Sequence, residues 1–320
     1  MSENQHIQKL VCHLRDGNTR ALARAISTVE DRTAESRELL KALFPYSGNA
    51  LLIGLTGAPG AGKSTLVDQI AREYRKQGKT IGIVAVDPTS PFSGGAILGD
   101  RIRMQSHHAD KGIYIRSMAT RGSLGGLAGT TADVATVLDA SGRDLVMIET
   151  VGVGQDEVDI VTLADVTVVV LVPGMGDDVQ SIKAGIMEIA DVFVINKSDR
   201  DGAERVEREV RAMQSLSVRN DNWTPPIVNT VASEGAGIAD AVAAIERYRE
   251  YLKQGAAGRK RRTASWRKRI TEMLQAALFE RVVADYLGNG QAERLASEVA
   301  EHKRDPYSLV EELVNEAGRR

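Results

Sequence analysis

One short loop carries the first chemical signal. Gly57-Ala58-Pro59-Gly60-Ala61-Gly62-Lys63-Ser64 fits the pattern G-x-x-x-x-G-K-[ST], and Thr65 follows it. In such a loop the backbone N–H groups converge on phosphate oxygens, and the positive end of the next helix adds to the attraction. The lysine ammonium reaches the β- and γ-phosphates, and the serine hydroxyl suits Mg²⁺. An apolar run, Leu51–Leu55, precedes the loop, and Ser64–Gln77 has helical spacing. This strand–loop–helix setting predicts a nucleoside triphosphate held by residues 57–65.

Asn196-Lys197-Ser198-Asp199 selects the base. In N-K-x-D the aspartate carboxylate accepts from guanine N1–H and the exocyclic amine. Adenine lacks that donor pair and would leave a desolvated carboxylate unmet. The lysine stem lies along the base, and the asparagine ties loops together. Val231-Ala232-Ser233, after another apolar run, occupies the place where a backbone N–H of a GTPase meets the guanine carbonyl. GTP and GDP are therefore the expected ligands.

Carboxylates supply the remaining chemistry. Glu149 ends the apolar run after Asp144, where most GTPases carry aspartate, and Gly152 follows three residues later. A carboxylate there holds Mg²⁺ directly or through water, and the glycine admits the γ-phosphate. Asp87 and Asp100 fall in the stretch expected to face the metal and the attacking water, and the pattern leaves open which of them orders that water. The expected catalytic set is Lys63, Asp87, Asp100 and Glu149. The expected metal set is Ser64, Asp87, Asp100 and Glu149. Catalysis here is positioning plus charge stabilisation. Val153 stands where many GTPases place a water-orienting glutamine, and Gln155 comes two residues later. That predicts slow hydrolysis by the isolated chain, raised by a partner.

These groups need a frame. Short β-branched runs at Leu51–Thr56, Ile81–Val86, Leu145–Ile148, Val166–Val172, Val192–Ile195 and Ile227–Thr230 alternate with helical patterns at Ser64–Gln77, Gly129–Ser141, Asp201–Ser215 and Gly237–Leu252. Near-continuous hydrophobicity marks strands covered on both faces. The rhythm predicts an α/β P-loop NTPase with a mostly parallel, doubly wound sheet, and ligands beyond the carboxyl ends of its strands. Residues 1–46 and 255–320 show helical spacing without strand-like runs. The expected organisation is an N-terminal helical extension (1–46), a GTPase domain (47–254) and a C-terminal helical arm (255–320), entered through a linker at Gly255–Gly258.

The chain of 320 residues has 42% apolar side chains, only 4% aromatics and a formal net charge of −2, so aliphatic packing builds the core and nothing draws it to nucleic acid. The single cysteine, Cys12, rules out an intrachain disulfide and suits a reducing compartment. No apolar run is long enough to cross a bilayer, and no signal-peptide pattern opens the chain. A soluble cytoplasmic protein is expected.

Several segments together resemble the MeaB/ArgK/MMAA family of GTPases: residues 57–65, Val86–Pro91, Leu98–Met104, Glu149–Gln155 and Asn196–Asp199. Pro173–Asp178 and Gln180–Asp191 are similar to that family's additional loop, often called switch III, with Asp177 and Lys183 as its relay candidates. The resemblance is dense over residues 45–255. It implies a G-protein chaperone of an adenosylcobalamin-dependent acyl-CoA mutase, chiefly methylmalonyl-CoA mutase, and a homodimer formed through the C-terminal helices. The alternatives are a transport-associated protein kinase or ATPase, and a metal-delivering GTPase. His107-His108 lacks further ligands at metal spacing, and the basic run Arg259–Arg269 reads as a solvated helix face.

Overall fold

The computed structural model describes residues 3–87, 110–119, 126–150, 163–174, 189–216, 221–288 and 290–317. Three helices come first: α1 (Glu3–Arg15), α2 (Thr19–Glu30) and α3 (Ala34–Leu43). The alternating part contains β1 (Leu51–Gly57), α4 (Lys63–Lys76), β2 (Ile81–Asp87), β3 (Ile113–Ala119), α5 (Gly126–Ala140), β4 (Leu145–Glu149) and β5 (Val166–Leu171). It continues through β6 (Val192–Asn196), α6 (Ala203–Leu216), β7 (Ile227–Thr230) and α7 (Ile238–Gln254). The chain ends in α8 (Ala256–Tyr286), α9 (Gln291–Ala300) and α10 (Pro306–Ala317).

The strands form one sheet in the order β3-β2-β4-β1-β5-β6-β7, and every ladder is parallel. β4, β5 and β6 are buried along their whole length, as their unbroken apolar sequences require. On one face, Leu66, Val67, Ile70 and Tyr74 of α4 pack with Ile238, Val242, Ile245 and Tyr248 of α7 over β1, β4 and β5. On the other face, α5 and the three N-terminal helices share a second core with Val84, Val86, Val146 and Ile148. α6 closes the same sheet over Phe193 and Ile195. The N-terminal helices thus contribute to the sheet's own core.

Asp139, buried near the end of α5, secures the approach to β1. Its carboxylate accepts the amides of Gly48, Asn49 (3.2 Å) and Ala50 (2.9 Å).

The doubly wound parallel fold matches the sequence reading, with local differences. β3 carries no strand assignment in that reading: Arg116 and Ser117 interrupt its apolar alternation, and it lies at the sheet edge. α5 begins at Gly126 rather than Gly129. The linker expected at 255–258 is a break at Gly255 alone, since α8 starts at Ala256. Gly258 is buried there, and a Cβ on it would lie 2.3 Å from the Leu252 carbonyl oxygen. Nor is the basic run uniformly solvated: Arg261 turns inward onto Asp191.

The chain divides into two compact units, residues 1–265 and 266–320. In the second, Leu295 and Leu309 are the buried hydrophobic side chains among the described residues, while Trp266, Ile270, Met273, Leu274, Leu278 and Phe279 are exposed. No helix among the described residues is long and apolar enough to cross a membrane.

Asp139→Ala removes the acceptor shared by three amides. It is expected to lower unfolding stability by about 1–3 kcal/mol, read from the urea midpoint.

Candidate functional site

The glycine-rich loop leaves β1 between β4 and β5, near the point where successive strands begin to fall on opposite sides of β1. Backbone crowding explains its glycines. Gly57 has φ +146° and lies under β5, where a Cβ would be 2.2 Å from the Val170 carbonyl oxygen. Gly62 caps α4 at φ +90°, and a Cβ there would meet Asn196 Nδ2 at 2.4 Å. Larger residues at either place would push the loop off the sheet or off Asn196.

Lys63 is the first residue of α4 and is buried. Its Nζ donates to the carbonyls of Gly57 (2.6 Å) and Ala58 (3.1 Å), so the ammonium sits inside the loop. The first turn of α4 presents its N–H groups at the same end. Ser64 Oγ donates to Glu149 Oε1 at 2.6 Å. Glu149, buried at the end of β4, aligns with Leu55 of β1 and Ala85 of β2. A hydroxyl and a carboxylate in contact form an all-oxygen pair of the kind that hard cations prefer.

The N-K-x-D segment and residues 231–233 join the same edge. Asn196, buried at the end of β6, donates Nδ2–H to Ala61 O (2.9 Å). Its Oδ1 accepts from the Ala232 amide (3.1 Å) and the Thr230 hydroxyl (3.2 Å). Lys197 takes the left-handed conformation at φ +55° and donates Nζ–H to Gly60 O (2.8 Å). The Ser198 amide bonds Thr230 O (3.1 Å), and Asp199 is exposed in the following turn. Val231 is closed onto Ala236 by its amide (3.0 Å), which shapes the loop carrying Ala232 and Ser233.

Residues 57–65, Glu149, Asn196, Lys197, Asp199 and 231–233 therefore gather at the carboxyl ends of β1, β4, β6 and β7. Asp87 is the last residue of β2, on the same edge. Asp100, Gly152, Val153, Gln155, Asp177, Lys183 and the His107-His108 pair lie outside the described residues. Thr230 belongs to the site, whereas the sequence marks it only as the end of an apolar run. Its place directly across the ladder from Asn196 is the signal that identifies it.

A parallel sheet with a phosphate-type loop after its central strand, and N-K-x-D after β6, defines a P-loop GTPase. The family model described as "Methylmalonyl Co-A mutase-associated GTPase MeaB" matches residues 22–287, and the chain belongs to this family. A protein of Pyrococcus abyssi named "Putative GTPase" is 46% identical over 313 residues, covering 97% of this chain and 96% of its own. The mitochondrial methylmalonic aciduria type A homolog of Mus musculus is 38% identical over 256 residues, 74% of this chain and 62% of its own. A crystal structure of an LAO/AO transport system kinase superposes with a TM-score of 0.71 at 26% identity, covering 97% of this chain and 96% of that one. This chain is accordingly a GTPase, with a fold that binds guanine nucleotide.

Gly57→Ala forces a side chain against a backbone carbonyl. It is expected to lower stability by about 1–3 kcal/mol, seen as an earlier thermal unfolding transition.

Proposed function

We propose that this GTPase serves an adenosylcobalamin-dependent acyl-CoA mutase, gating cofactor loading and protecting or reactivating the enzyme, with methylmalonyl-CoA mutase as the partner. The observation that carries this is the match of the mutase-associated family over residues 22–287. The name of the mouse relative points to the same metabolism.

In this reading Lys63 exchanges its bonds to the Gly57 and Ala58 carbonyls for the β- and γ-phosphate oxygens, with backbone N–H groups of residues 57–65 around them. Ser64 and Glu149, together with Asp87 and Asp100, would hold Mg²⁺, which would supply neutralisation of phosphate charge. The 2.6 Å contact between the Ser64 hydroxyl and the Glu149 carboxylate supports this reading. Gly152 admits the γ-phosphate, and Asp87 or Asp100 orders the attacking water. Asp199 and Lys197 read the base, and Asn196 ties together the loops beside it. The Ala232 amide is bonded to Asn196 Oδ1, so the Val231–Ser233 loop is braced together with the base-reading turn.

The organisation that fits this role is a helical extension (1–46), a GTPase domain (47–254) and a C-terminal arm (255–320). The exposed apolar positions from Trp266 to Phe279 recur at helical spacing, and a second copy of the chain would cover them in a homodimer. Asp177 and Lys183 relay nucleotide state to the mutase. The single cysteine suits work in the cytoplasm.

Asp199→Asn is expected to weaken GTP binding by about 10- to 100-fold without unfolding the chain, and to erase preference for GTP over ATP in calorimetry. Unchanged guanine preference would refute the assignment of Asp199. For the partner, GTP turnover is expected to be slow alone and to rise when the mutase of the same organism is added. Indifference to every adenosylcobalamin-dependent acyl-CoA mutase of that organism would reject the chaperone reading.

A further inference from the structure

The edge of the sheet opposite the nucleotide loops contains a second organised cluster. Asp191 stands just before β6 and has no exposed surface. Its amide donates to Thr167 O (2.9 Å) and its Oδ2 accepts the Thr167 amide (2.8 Å), which locks the start of β5 to the start of β6. Its carbonyl accepts Trp223 Nε1–H (2.9 Å). Its Oδ1 accepts Arg261 Nη1–H at 2.9 Å. Arg261 lies near the start of α8 and also donates to Tyr248 Oη (2.6 Å), Ala164 O (3.3 Å) and Thr167 Oγ1 (3.4 Å). Trp223 and Tyr248, which bond the pair, cluster with Tyr251 at ring centroids 4.9–5.7 Å apart. Burial disfavours charge on Arg261, but Asp191, together with Tyr248 and Asp165, offsets it and raises the guanidinium above its ordinary pKa.

The two strands clamped here are the ones that support the nucleotide loops. Three residues along β5 from Thr167, Val170 lies against Gly57. At the far end of β6, Asn196 holds the loops of β1 and β7. A strand of this length is a stiff link of roughly 10 Å. A displacement at either end is felt at the other, because Val170 leaves no room over Gly57 and Thr167 is bonded on both sides.

We propose that Arg261 is a positioning residue that couples the root of α8 to the nucleotide loops through β5 and β6. Nucleotide binding then stiffens residues 256–265, and anything that holds α8 tunes nucleotide affinity by the same factor. The coupling rests on the reading of residues 57–65 as the phosphate site.

The test is hydrogen exchange of the full chain with and without a non-hydrolysable GTP analogue, with binding measured in the same samples by calorimetry. Exchange of amides 256–265 is expected to slow by about tenfold on binding. In Arg261→Gln the analogue should still bind, but the slowing at 256–265 should disappear, and Arg261→Lys should restore part of it. Binding without slowing in the native chain overturns the coupling and leaves the phosphate site standing. Failure of the native chain to bind removes both. Exchange that is faster in Arg261→Gln by the same factor with and without the analogue marks a purely structural clamp and also overturns the proposal. If Arg261→Gln does not fold, Tyr248→Phe removes one hydrogen bond from the guanidinium and leaves the ion pair. Its slowing should be smaller than native, and an undiminished slowing counts against the coupling.

Discussion

The side-chain amide of Asn196 holds the nucleotide edge of this protein together. Hydrophobic packing positions β1, β6 and β7 but stops where the strands end. Beyond that point the loops keep their places through polar bonds, and one buried carboxamide makes bonds to Ala61, Thr230 and Ala232. A buried amide without partners costs several kcal/mol, so the geometry that satisfies it is strongly selected. Lys197, held at positive φ, adds a separate tie to Gly60. The glycine-rich loop and the N-K-x-D turn are thus one bonded unit although they lie far apart in the chain.

The opposite edge uses a different device. Asp139, Asp144, Asp165 and Asp191 each accept backbone amides at or before a strand start: those of residues 48–50, Thr80, Leu52 and Thr167. Their electrostatics differ. Burial alone would raise the Asp144 pKa, but the Thr80 amide and hydroxyl, with Lys79 nearby, hold it below the ordinary carboxylate value. Burial dominates at Asp165 and raises it, with the Leu52 amide and Arg261 pulling the other way. Arg261 brings a half-buried positive charge to this row, through Asp191. The sheet is therefore gripped at both ends, by an amide knot at one and by carboxylates at the other.

Much of this was legible in the sequence, and the reason is locality. The phosphate loop, N-K-x-D and Glu149 are contiguous patterns tied to strand ends, so spacing alone placed them on one edge of a parallel sheet. The buried strands read clearly because both of their faces are apolar. β3 escaped because an edge strand buries less and tolerates Arg116, which reaches back to Glu30. The role of Arg261 was hidden for another reason. Its neighbours Arg259, Lys260 and Arg262 are exposed, and no local pattern distinguishes the one cation that meets a carboxylate seventy positions away. The role of Thr230 was likewise invisible until the ladder set it beside Asn196. Contacts made across sequence distance are what periodicity cannot report.

The Lys63 ammonium carries a further consequence. It already neutralises two carbonyl dipoles of its own loop at 2.6 and 3.1 Å. An incoming anion must outbid those neutral acceptors before the lysine turns toward it, and only oxygens that reach the lysine with formal negative charge do so strongly. The loop's own carbonyls therefore set the strength that an anion must exceed at this ammonium.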